Sequence, residues 1–128
     1  MASGFLYTSK YEWTKHAQFK MRQYGLSEQR IKRVIRFPYR SEEGVLSGAV
    51  AVMQPASLRR DKNGRQVWSQ EIWTMYKLVS KKRGNSKFET LNSKHKTIRI
   101  ITAWRYPGVS PKRDPIPQEV LVEIQSLL

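Results

Sequence analysis

Apolar residues recur at helical spacing near the start of the chain and then change to strand-like runs. Trp13, Ala17, Met21 and Tyr24 fall on one helical stripe, and Ser9 with Glu12 forms a capping box. This pattern predicts a helix over about residues 9–24, stopped by Gly25. Ser27 caps a second helix over about 28–37, which Pro38 ends. Ile31, Val34 and Ile35 make its apolar stripe, while Arg30, Lys32, Arg33 and Arg36 point elsewhere. Valine, aromatic and β-branched residues then predict strands over about 44–54, 67–80, 88–92 and 96–106, with an Asn63-Gly64 turn between the first two. In the last strand strict alternation puts Ile98, Ile100, Thr102 and Trp104 on one face, and Thr97, Arg99, Ile101, Ala103 and Arg105 on the other. A proline-punctuated linker leads to a helix over about 117–127, striped by Val120, Leu121, Ile124 and Leu128.

This order reads as one α+β domain over residues 1–128. Two N-terminal helices pack on one face of an antiparallel sheet of about four strands, with a C-terminal helix. The opposite sheet face is expected to be free, polar and wet, and to carry the function.

Charge sharpens the picture. Lysine and arginine number 24 against ten acidic residues, giving a formal net charge of +14. Such an excess repels itself unless a polyanion offsets it, and nucleic acid is the commonest such partner. A membrane surface fits less well, because the cations are spread over the chain rather than gathered on one amphipathic helix. No apolar run is long enough to span a bilayer and the N-terminus lacks a signal-peptide pattern, so the expected location is the cytoplasm. The chain has no cysteine and two histidines, so no disulfide, metal site or cofactor is expected.

Aromatics interleaved with cations on strands, among them Trp68, Trp73, Tyr76, Trp104 and Tyr106, suit base stacking with phosphate contact. RNA is therefore favoured over DNA. Half of any such set also packs a core. The expected nucleic-acid contacts are Lys77, Lys81, Lys82, Arg83, Lys94, Lys96 and Trp104. His16 and Lys20 lie four apart, on a helical face beside the apolar stripe. Metal-free RNA cleavage needs a base, an acid and cations around the phosphorane, roles that histidine and lysine or arginine can fill. The same histidine can equally orient a neighbouring element through one ring nitrogen. Glu71 is the one carboxylate positioned as a credible base, or else a cross-strand partner for a cation. His95, in "NSKHKT", reads as a solvated loop residue.

"HAQFKMRQYGLS" resembles the motif His-Ala-x-x-Arg-Met-x-x-Arg-Gly-Ile-Ser of a small family grouped with the RelE-like toxins. "IRIITAW" resembles that family's terminal strand. His16, Ala17, Met21, Gly25 and Ser27 match; Lys20 stands for arginine, Leu26 for isoleucine, and Tyr24 replaces the second arginine. The resemblance implies the barnase–EndoU–colicin–RelE fold and a metal-independent endoribonuclease toxin. Its catalytic candidates would be His16, Lys20, Arg99, Arg105 and Tyr106, and its partner an acidic antitoxin. The alternatives are a non-catalytic RNA- or DNA-binding or ribosome-associated protein, and an adaptor that meets an acidic protein.

Overall fold

The computed structural model describes residues 10–43, 48–80 and 96–126. Its elements are β1 (Lys10–Trp13), α1 (Lys15–Tyr24), α2 (Glu28–Arg36), β2 (Arg40–Glu43), β3 (Ala49–Pro55), β4 (Arg59–Arg60), β5 (Gln66–Val67), β6 (Gln70–Ser80), β7 (Lys96–Pro107) and α3 (Gln118–Gln125). The fold is α+β, with a mixed five-stranded sheet in the order β1-β7-β6-β3-β2 and a separate two-stranded hairpin, β4-β5. The strand expected over 88–92 lies outside the described residues, as do Lys81, Lys82, Arg83, Lys94 and His95.

Two of the five strands lie outside the expected set: β2, antiparallel to β3, and β1, from residues expected in the first helix. "KYEW" alternates, and β1 pairs in parallel with β7 from Lys10↔Thr97 to Trp13↔Ile100. Tyr11 and Trp13 pack toward one core, while Glu12 turns to Arg99 on the other face. Helix α1 then starts five residues later than the capping box implied. Thr14 is the N-cap: its hydroxyl accepts from the Ala17 amide at 3.1 Å and donates to the Ile100 carbonyl at 2.8 Å. The tie to β7 decides the start, because a helix from Ser9 would leave that strand's edge unpaired. Gly25 ends α1 in the left-handed region (φ 67°), and Ser27 caps α2 through the Arg30 amide.

Both sheet faces are covered, which corrects the expectation of a free, wet face. Helices α1 and α2 bury Ala17, Met21, Ile31, Val34 and Ile35 against Val52, Ile72, Ile98, Ile100 and Ala103. Helix α3 lies on the opposite face, where Ile116, Val120 and Ile124 meet Ala51, Met53, Trp73, Met75 and Trp104. "AVAVM" in β3 is therefore a near-continuous apolar run, as a strand buried on both sides must be.

Strict alternation in β7 also fails. Met75 pairs with Thr102 and Tyr76 with Ile100, so Ile101 is an extra, bulged residue. One inserted residue exchanges the faces on either side of it. Ile98 and Ile100 consequently join Ala103 in the first core, and Trp104 joins the second. The indoles of Trp73 and Trp104 stack there, with centroids 5.7 Å apart and planes 2° from parallel.

Glu71 anchors the chain across that second face. It is fully buried. Its carboxylate accepts from the indole nitrogens of Trp68 (2.9 Å) and Trp73 (2.8 Å), and from the hydroxyl (2.6 Å) and amide (3.3 Å) of Ser110. Arg40 stacks over the Trp73 ring and donates to the Ser110 carbonyl and hydroxyl. Glu71 is thus a structural acceptor with its lone pairs committed, and neither the free base nor the direct partner of a cation that its position in the strand suggested.

Candidate nucleic-acid interface

His16 and Lys20 meet α3, which places them in a closed interhelical contact. β1 accompanies β7 only as far as Ile100. Beyond it α1 runs along the same edge, from Thr14 beside Ile100 to the Tyr24 carbonyl, which accepts from Arg105 Nε at 2.7 Å. At that edge α1 also reaches α3 on the other side of the sheet. Lys20 is fully buried; its ammonium lies 3.2 Å from Glu123 Oε2, donates to Gln23 Oε1 at 3.0 Å and sits 5.2 Å from the centre of the Tyr24 ring. His16 Nε2 is 3.6 Å from the same Glu123 oxygen, and its side chain is 14% exposed. Burial lowers the His16 pKa, Glu123 raises it, and Lys20 lowers it again; the net shift is downward. Tyr24 donates to Glu119 on α3, and its own pKa is raised, first by burial and then by Glu119.

The remaining catalytic candidates lie elsewhere. Arg99 holds Glu12 at 2.6 Å, across the parallel pairing of β1 and β7. Arg105 is on the α1–α2 side of the sheet, bonded to the Tyr24 carbonyl. Tyr106 is half-buried against the second core. His16, Lys20, Arg99, Arg105 and Tyr106 therefore do not converge on one reacting atom. Among the expected nucleic-acid contacts, Lys77 is exposed, opposite Arg99 in the sheet. Lys96 lies at the start of β7. Trp104 is fully buried, with its indole nitrogen bonded to the Pro115 carbonyl, so it offers no stacking surface.

What the fold does assemble is a group of cations at the end of the sheet where β3 ends, β6 begins and β7 ends. Arg30, on α2, donates to the Pro55 carbonyl at 3.1 Å, while its Nε is buried without a hydrogen-bond partner. Arg105 reaches Gln70 Oε1 at 3.5 Å. Pro55 and Gln70 are held side by side, because the Ala56 amide donates to the Gln70 carbonyl. Burial lowers the Arg30 pKa first; the neighbouring charges of Arg33 and Arg105 lower it further. The group nonetheless stays charged, as a guanidinium does in proteins. Among the described residues no carboxylate lies within ion-pair distance of Arg30, Arg33 or Arg105.

No family model, curated protein or solved structure matches this chain. The likeness to RelE-like toxins therefore rests on the quoted residues alone, and the geometry has to carry the functional reading.

The β4-β5 hairpin rises from the same end of the sheet. It adds Arg59, Arg60, Lys62 and Arg65 to the cations, with Asp61 as its one carboxylate. That carboxylate is committed to the turn, where it accepts from the amides of Asn63 (2.8 Å) and Arg65 (2.9 Å). Phe37, Tyr39 and Leu58 are all about half exposed, and the Tyr39 hydroxyl reaches Gln66 in the hairpin. By contrast, the shallow cleft of about 500 Å³ beside α3 sets Glu42, Glu43 and Asp114 against Arg113, and so has no appeal to a polyanion. The sequence does mark the hairpin: "RRDKNGR" carries four cations around a turn signal. It gives no sign that Arg30 and Arg105 sit beside it, since 75 residues separate those two along the chain.

Proposed function

We propose that this protein binds nucleic acid through the cationic end of its sheet and holds it without cleaving it. One observation carries the reading. Arg30, Arg33 and Arg105 are gathered at the foot of an exposed basic hairpin, with no carboxylate among the described residues in ion-pair range. Unneutralised guanidinium groups crowded together are costly for the free protein, and a row of phosphates relieves that cost. Their planar forks suit phosphate oxygens.

The geometry supports binding over cleavage. A base that works on a 2′-hydroxyl must reach it, and His16 faces Glu123 across a helix contact instead. Lys20 already has an anionic partner, so it is not available to a phosphorane.

End-labelled RNA and DNA oligonucleotides, incubated with protein at saturating concentration, test this reading. The expected result is a retarded complex from which intact oligonucleotide is recovered. Cleavage that His16→Ala abolishes, without lowering the melting temperature, would restore the endoribonuclease reading; absence of a complex at low salt would remove the binding reading.

A further inference from the structure

We infer that the β4-β5 hairpin enters the major groove of double-helical DNA, with Arg59 and Arg65 facing the DNA. This rests on the nucleic-acid reading above and adds the class of polymer and the element that reads it.

The shape of the hairpin fits the groove. Arg59 pairs with Val67 and Arg60 with Gln66, and the Asp61 amide donates to the Arg65 carbonyl, giving three successive rungs below a three-residue tip. At about 3.3 Å per residue, those rungs and the tip project about 10 Å. The major groove of B-form DNA is about 8.5 Å deep and about 12 Å wide, room for a two-stranded ribbon with its side chains. The groove of an A-form RNA duplex is deep and too narrow for such a probe.

The two sides of the ribbon differ in which side chains are free. Gln66, exposed itself, accepts from the Tyr39 hydroxyl at 3.1 Å, which ties its side of the ribbon to the body, while the half-buried Val67 stands at the foot beside Arg59. Tyr39 is itself set edge-on against Trp68, with centroids 5.0 Å apart. Arg60 shares that side and is turned back to the Gly64 carbonyl at 2.9 Å. By alternation Arg59 and Arg65 project from the opposite side. Neither of those side chains makes a hydrogen bond or ion pair among the described residues. A stiff tip supports them: Asp61 bridges two amides and Gly64 adopts φ 77°, the left-handed step that closes such a turn.

A single-strand site needs exposed aromatic rings spaced along a cationic track. Here the sheet indoles of Trp73 and Trp104 are buried beneath α3. Phe37 and Tyr39 stay about half exposed, but the ribbon itself, residues 59–67, carries charge and no ring, which suits a duplex.

The experiment uses the full chain and one 20-base-pair sequence in four forms: DNA duplex, each DNA single strand, and RNA duplex. Binding is followed by anisotropy, and guanine N7 in the major groove is probed by dimethyl sulfate. The DNA duplex should bind tightest, and guanines under the protein should be protected. Arg59→Ala with Arg65→Ala should weaken duplex binding by roughly tenfold per arginine at 0.1 M salt, abolish the protection and leave the melting curve unchanged. Both residues are exposed, so the variant keeps its fold. Free methylation of N7 in the complex, or full duplex affinity in the double variant, overturns the inference. Equal binding to all four forms also overturns it and leaves the phosphate-binding reading in place. Binding to none of them, with sedimentation on phosphatidylserine vesicles instead, overturns both.

Discussion

The ammonium of Lys20 stands 3.2 Å from the carboxylate of Glu123, and this pair joins α1 to α3 where the two cores meet at the edge of the sheet. Lys20 is buried, whereas Glu123 is 38% exposed. Removing the exposed partner strands a buried charge. Glu123→Ala is therefore expected to lower stability by about 2 to 3 kcal/mol, below the range for fully buried pairs because water reaches the carboxylate. Lys20→Met should cost less than about 1 kcal/mol, since an apolar chain of similar volume fills the buried site and the carboxylate left behind is open to water. Urea unfolding of both variants checks this. The opposite ranking would mean that the ammonium interacts mainly with something other than Glu123.

His16 gives the stability a pH dependence of known sign. Its pKa is lowered in the folded state by burial, with Glu123 opposing and Lys20 assisting. The unfolded chain, with a histidine pKa near 6.5, then binds the proton more readily than the fold does. The contribution is fully present above about pH 6.5 and is lost as the pH falls from there through the lowered value. Melting temperatures between about pH 5 and 8 should decline on the acid side, and His16→Gln should flatten that decline. A decline unchanged by the substitution would place its origin elsewhere.

Much of the fold can be read along the chain. Gly25, Ser27 and the stripe of α2 act locally, through a left-handed step, a capping hydroxyl and a 3.6-residue period, and each holds in the structure. The failures share one cause: long-range partners settled local choices. "KYEW" became a strand because the edge of β7 was open to it. The faces of β7 exchanged at Ile101 because the bulge is a property of its pairing with β6. Lys20 carried an unused signal, since it lies three residues from Ala17 and four from Tyr24, within the apolar stripe and not beside it. A lysine there needs an anion across the helix contact. The sequence offers Glu123 on the closing helix but no means of pairing them.

Glu71 should tolerate no change in its pattern of acceptors. Glu71→Gln presents an amide nitrogen to indole and serine donors, so at least one buried group loses its partner. A loss of about 2 to 3 kcal/mol is expected, accompanied by a change in tryptophan emission. A variant as stable as the parent, with unchanged emission, would show that the four donors find other acceptors.

On the proposed reading, polyanions are held at the end of the sheet carrying Arg30, Arg33 and Arg105, and not at the opposite end, which carries Lys10 and Lys77. The most direct test is the slope of log affinity against log salt for a DNA duplex, measured on three proteins. One is the parent, one has glutamine at Arg30, Arg33 and Arg105, and one has alanine at Lys10 and Lys77. Each lost phosphate contact reduces the slope by about one unit. The account predicts a slope about three units shallower in the arginine variant and an unchanged slope in the lysine variant. A shallower slope in the lysine variant, with the arginine variant behaving as the parent, would contradict it.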